Sequence, residues 1–125
     1  MKRLTKAEEE IMHVLWELER GYVRDILDKL PVPKPAYNTV STIIRILEKK
    51  GFVSYLPHGK AHQYFPLITK KVYRKNYFKG FVQSYFGNSY QALTSFFSND
   101  QDLSLSELEE LRQLLDQEIE KKKKE

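Results

Sequence analysis

NTVSTIIRILEKKG, running from Asn38 to Gly51, is the stretch that decides the reading of this chain. Val40, Ile43, Ile44 and Leu47 recur at i, i+3, i+4 and i+7, so they share one side of a 3.6-residue period and predict a helix with one buried face. The opposite side carries Asn38, Thr42, Arg45 and Lys49. Amide, hydroxyl, guanidinium and ammonium groups with no carboxylate among them can pair with base edges and phosphates. A helix of this kind is built to lie in a DNA groove.

Amphipathic helices are common, so the neighbours of this one carry the argument. Upstream, Thr5 and Glu8 form the pattern of a capping box. The helix that follows has Ala7, Ile11, Val14, Leu15 and Leu18 as its expected buried stripe, and Gly21 is expected to end it through a left-handed twist. A shorter helix runs from about Val23 to Leu30, with Ile26, Leu27 and Leu30 inward, before Pro31, Pro33 and Pro35 forbid its continuation. Downstream of Gly51, FVSYL (Phe52 to Leu56) and AHQYFPL (Ala61 to Leu67) read as strands joined by a turn at Pro57, His58, Gly59 and Lys60. The prediction is a mainly α fold, a winged helix-turn-helix of three helices plus a two- to three-stranded β wing. A helical C-terminal dimerisation region follows it. Lys60 at the hairpin tip suits a phosphate or minor-groove contact.

Beyond Pro66 the composition shifts, which sets domains at 1–68 (winged helix, DNA-binding) and 69–125 (helical, dimerising). Thr69 to about Phe86 reads as a long helix, basic at first (Lys70, Lys71, Arg74, Lys75, Lys79) and then aromatic. A short helix from about Ser89 to Ser98 and a last one from Ser104, capped by Glu107, complete the chain. Residues 73 to 97 hold nine of the sixteen aromatics, and Leu105, Leu108, Leu111, Leu115 and Ile119 line the last helix. Three thin helices in about 55 residues hide too little of their own surface to bury this within one chain. A second copy is the natural partner, through Tyr77, Phe81, Tyr85, Phe86, Leu93, Phe96, Phe97, Leu108, Leu111 and Leu115. Burying five such side chains gives about 8 to 15 kcal/mol before ordering costs.

Charge divides the same way. Residues 1 to 79 hold 16 Lys and Arg against 8 Asp and Glu, whereas residues 80 to 120 hold Arg112 against eight acids. The first part can meet a polyanion and the second is repelled by one. The closing Lys121 to Glu125 run is expected to be a frayed, solvated end. With no apolar run near the roughly 18 residues of a membrane span and no apolar signal core after Met1 to Lys6, the expected location is the cytoplasm, without membrane insertion.

Catalysis and metal binding find little footing. Cysteine is absent, which removes disulfides, thiolate ligands and cysteine nucleophiles. His13, His58 and His62 stand on a helix and both sides of a hairpin, so no metal site is expected and no cofactor is called for. Glu8, Glu9 and Glu10 are accounted for by the positive end of a helix dipole, and Trp16 by packing. The aromatic stripe, set among acids, reads as core rather than as a platform for bases.

LTKAEEEIMHVLW (Leu4 to Trp16), NTVSTIIRILEKKGFV (Asn38 to Val53), HGKAHQYFPL (His58 to Leu67) and DLSLSELEELRQLL (Asp102 to Leu115) together resemble the penicillinase repressor family, the BlaI/MecI repressors. The likeness is ordered and nearly end to end. It implies a dimeric repressor, not an enzyme, whose winged helices read the half-sites of a palindromic operator in double-stranded DNA. DNA contacts carry over onto Asn38, Thr39, Ser41, Thr42 and Arg45, and onto Lys60 in the wing; Lys49 joins them from the helix pattern. Ile46 departs from relatives, which often have a second basic residue there.

In well-known members, a membrane sensor protease with a zinc site leads to cleavage of an Asn-Phe bond in the C-terminal part. The matching place here is Phe96-Phe97, without the asparagine. Copper-responsive relatives bind metal through cysteines, which this chain lacks. The rival to a DNA-binding repressor is a winged helix that docks onto a protein, without sequence-specific DNA binding.

Overall fold

The computed structural model describes residues 2–99 and 103–125, the side chain of Asn99 excepted. Asp102, at the head of the fourth family-like block, lies outside the described residues, as do Met1 and Asp100. Helices α1 (Lys6–Leu18), α2 (Val23–Lys29) and α3 (Tyr37–Lys49) are followed by strands β1 (Val53–His58) and β2 (Ala61–Pro66). Helices α4 (Lys70–Phe86), α5 (Tyr90–Asn99) and α6 (Leu105–Lys123) complete the chain. Two compact units divide it, Met1–Lys79 and Gly80–Glu125. That division falls inside α4, later than the expected 68/69, because the first turns of α4 pack on the winged helix.

The capping box at α1 forms as expected. The Thr5 hydroxyl accepts from the Glu8 N–H at 3.2 Å, and the Thr5 N–H donates to Glu8 Oε1 at 2.7 Å. Ile11, Met12 and Leu15 are buried, Val14 and Leu18 half-buried. Ala7 is exposed, contrary to the expected stripe, and Glu8 takes the inward position. Its carboxylate tolerates this because Lys50 Nζ lies 2.8 Å away. The left-handed residue that ends α1 is Glu19 (φ 69°), not Gly21. Gly21 instead exchanges two backbone hydrogen bonds with Tyr64, at 2.9 and 2.8 Å, adding an isolated bridge to the wing.

Gly51, with φ 82°, closes α3. Its N–H reaches the Glu48 carbonyl at 3.0 Å and the Phe52 N–H reaches Leu47 at 2.9 Å, the paired bonds of a Schellman motif. That reversal drives Phe52 fully into the core. β1 and β2 pair antiparallel from Val53↔Pro66 to His58↔Ala61. Pro57 and His58 therefore belong to the strand, and the loop is Gly59 and Lys60 alone. Glycine at its first position, φ 64°, supplies the twist a two-residue hairpin loop requires.

One core unites these elements, from Leu4 and Met12 through Ile26, Val40, Ile44 and Leu47 to Phe52, Val53, Tyr64 and Tyr73. Tyr73 ties α4 to it: its hydroxyl donates to Glu9 Oε2 at 2.6 Å, and its ring lies 5.6 Å from Trp16 and 5.8 Å from Phe52. Burial, joined by the Glu9 carboxylate, pushes the Tyr73 hydroxyl well above the usual tyrosine range. Trp16 Nε1 donates to the Ile68 carbonyl at 2.8 Å, so this tryptophan is a packing residue.

In the second unit, Gly87 and Asn88 both have positive φ and turn the chain from α4 to α5. Phe86 meets Phe81 at 5.8 Å and Phe96 at 5.7 Å. The Ser104–Glu107 capping box opens α6. Lys121, Lys122 and Lys123 are helical rather than frayed, the last turn of α6 being where cations meet the negative end of a helix dipole.

Candidate nucleic-acid interface

The orientation of α3 is set by what it buries. Val40, Ile44 and Leu47 have no exposed surface, and Ile43 is half-buried. A helix pinned on one side presents the other with little rotational freedom. Asn38, Thr39, Thr42, Arg45 and Lys49 are exposed, and Ser41 is half-buried at the edge of the same face. The structure thus groups the residues expected from the sequence. It also refines one of them: Thr42 Oγ1 donates to the Asn38 carbonyl at 2.9 Å, so its proton is already committed.

The start of α3 is open. Its N-cap, Ala36, supplies no side-chain bond, and no acid stands in the first turn. Backbone N–H groups at such an end are ready partners for a phosphate oxygen. Glu48, the one acid of α3, sits toward the flank; burial first, and then the Glu48 charge, push the Tyr64 hydroxyl above the usual tyrosine range and so disfavour its ionisation. Two contacts lie at the junction between α2 and α3. The Arg24 guanidinium lies 5.5 Å from the centre of the Tyr37 ring. Lys34 Nζ caps the end of α2 through the carbonyls of Asp28 (2.6 Å) and Leu27 (3.3 Å). Sequence reasoning missed Arg24 and Tyr37 because a cation–ring contact between two helices leaves no periodic trace.

Lys60 is exposed at the hairpin tip, and the strands behind it are stiffened by rings. Tyr55 and His62 stack at 3.9 Å with 7° between their planes, and His58 meets Tyr22 edge-on at 6.0 Å. His13 packs against Trp16 at 5.3 Å instead. Among the described residues no cluster of three His, Asp or Glu side chains could hold a metal ion.

Lys50, next to this face in sequence, is turned away from it by its bond to Glu8. Burial opposes the Glu8 charge, yet the Lys50 ammonium and the Thr5 N–H outweigh burial and hold the carboxyl below its usual range.

These elements are a winged helix with a basic outer face, and the family comparison agrees. The penicillinase repressor profile matches residues 4–117. The chain belongs to the penicillinase repressor family. It is 28% identical over 113 residues to the methicillin resistance regulatory protein MecI of Staphylococcus aureus strain N315, covering 90% of this chain and 92% of that protein. It is 26% identical to the penicillinase repressor of Bacillus licheniformis over 97% of this chain and 95% of that one.

Among solved structures, the CopR repressor is 29% identical and covers 54% of this chain and 99% of its own, with a TM-score of 0.45. The penicillinase repressor family is one of transcriptional repressors rather than enzymes. Among the described residues no helix is long and apolar enough to cross a membrane.

Proposed function

We propose that this chain is a sequence-specific transcriptional repressor that binds a palindromic operator as a homodimer, with no catalysis of its own. The observation that carries this is the outer face of α3: Asn38, Thr39, Thr42, Arg45 and Lys49 exposed along a helix whose start is uncapped, opposite an inner face on which Val40, Ile44 and Leu47 are fully buried. Arg45 is the candidate for guanine and Asn38 for adenine. Lys49, Ser41 and the wing residue Lys60 are candidates for phosphate contacts, which supply affinity and register.

Dimerisation through the second unit is part of the same proposal. No residue of α6 is buried in the single chain. In that unit Leu111 and Leu115, with Phe81, Tyr85 and Phe96, are exposed, while Leu108, Phe86, Leu93 and Phe97 are half-buried; Tyr77, also exposed, belongs to the first unit. Leu108, Leu111, Leu115 and Ile119 share one helical face, and covering it with the same face of a second copy removes that apolar area from water. Two-fold symmetry then sets two α3 helices about 34 Å apart, one turn of B-DNA.

Release by proteolysis at Phe96-Phe97 completes the reading, with a membrane sensor protease as partner. The bond lies inside α5, so cleavage requires local unwinding there. Incubation with a cognate sensor that left the chain intact would remove this element alone.

Binding to duplex DNA across a salt series tests the main reading. A complex that neutralises several phosphates loses affinity steeply as salt rises. Salt-independent binding, or none at low salt, would instead favour a winged helix that docks onto a protein.

A further inference from the structure

The outward side of α3 is not wholly polar. Ile46 is 41% exposed, although Ile43 and Ile44 already supply the inward branched side chains of that turn. It stands four residues after Thr42 and seven after Thr39, so the three line one strip beside Asn38, Arg45 and Lys49. The Thr42 hydroxyl is turned back to the Asn38 carbonyl, which leaves the methyl as its group free for an outside contact. The strip therefore offers methyl groups next to charged and amide groups.

In the major groove the one apolar feature of a base edge is the C5-methyl of thymine, and apolar side chains recognise it. We propose that Ile46, with the Thr42 methyl beside it, is a specificity-determining residue that selects thymine at one position of each half-site. The inference rests on α3 entering the major groove. Arg45 and Asn38 then select by hydrogen bonds, and Ile46 by removing the thymine methyl and its own surface from water.

Replacing thymine by deoxyuridine deletes that methyl and leaves base pairing unchanged. The full chain is first used to select its preferred duplex, and each thymine of a half-site is then replaced singly by deoxyuridine. At one position the wild type loses about fourfold in affinity, the worth of one buried methyl group. In Ile46→Ala that penalty falls to about onefold, and in Ile46→Val most of it returns. Ile46 is no part of the buried core, so both variants stay within a few degrees of the wild-type melting temperature.

If every deoxyuridine penalty is the same in the wild type and Ile46→Ala, this inference is wrong even though Arg45→Ala weakens binding. If the wild type selects no sequence at all, the DNA-binding reading falls and takes this inference with it.

Discussion

The two units of this chain solve the problem of apolar surface in opposite ways. Among the described residues, Met1–Lys79 gathers fourteen buried hydrophobic side chains, most of them from three helices, a hairpin and the start of α4, into one core. In Gly80–Glu125, among the described residues, Val82 alone is buried to that degree, while Leu105, Leu111, Leu114, Leu115 and Ile119 face solvent. The first unit carries its stability within the chain. The second has the composition of a core and the exposure of a surface, and an exposed apolar face of this kind is what the proposed pairing with a second copy would cover. On the proposed reading, a basic DNA-binding unit with its own core is joined to an acidic tail whose exposed apolar face pairs with that of a second copy, so the tail would bring two such units together.

The largest expected effect breaks the pairing. Leu111→Glu with Leu115→Glu places two charges where apolar surface is to be covered. Sedimentation should show a monomer, and operator affinity should fall by about 10²- to 10⁴-fold, the usual worth of linking two binding modules. The first unit should melt at an unchanged temperature, because its core holds neither leucine. Unchanged mass would remove the tail from the account.

Next is the core itself. Ile44→Ala should cost about 2 to 5 kcal/mol in denaturant unfolding, since a fully buried side chain leaves a cavity. Unlike the tail variant, its loss should not depend on protein concentration.

Arg45→Ala sharpens the comparison from the reader's side. It should cost about 1 to 3 kcal/mol of operator binding and relax one base position. Lys60→Ala should weaken all sequences alike and reduce the salt slope by about one. Neither should change dimer mass.

The smallest effect is Glu8→Gln. Glutamine keeps the reciprocal cap with Thr5 but loses the charge that meets Lys50, at a cost of about 1 to 2 kcal/mol near neutral pH. The folded-state pKa of Glu8 is lowered, so its contribution is present above the ordinary carboxylate range. It is lost as pH falls through the lowered value. Urea melts of wild type and variant should therefore converge on the acid side, and a constant gap would contradict the ion-pair explanation.

What was legible in the sequence was local. The inner and outer faces of α3, the Gly51 stop, the hairpin and both capping boxes follow from spacings of three, four and two residues, and each is present. What escaped was non-local. Glu8 is inward because Lys50, 42 positions away, comes back to it, and no reading of α1 alone ranks Glu8 above Ala7. Tyr73 reaches Glu9 across 64 positions, which draws the start of α4 onto the first unit and moves the division of the chain to Lys79.

Gly21 looked like a helix stop, but the Tyr64 backbone uses it as a sheet partner and Glu19 makes the turn. At the candidate interface the sequence supplied the residue types. It did not supply the Thr42 bond to Asn38, the Arg24 contact with Tyr37 or the exposure of Ile46, each of which depends on rotamers and neighbouring helices.

The most direct test of a paired reader is selection of bound fragments from random-sequence duplex DNA at two salt concentrations. A paired reader should enrich a palindrome whose half-site centres lie about one helical turn apart, with weaker retention at the higher salt. No enrichment at either concentration would contradict it and leave the outer face of α3 as a surface for a protein.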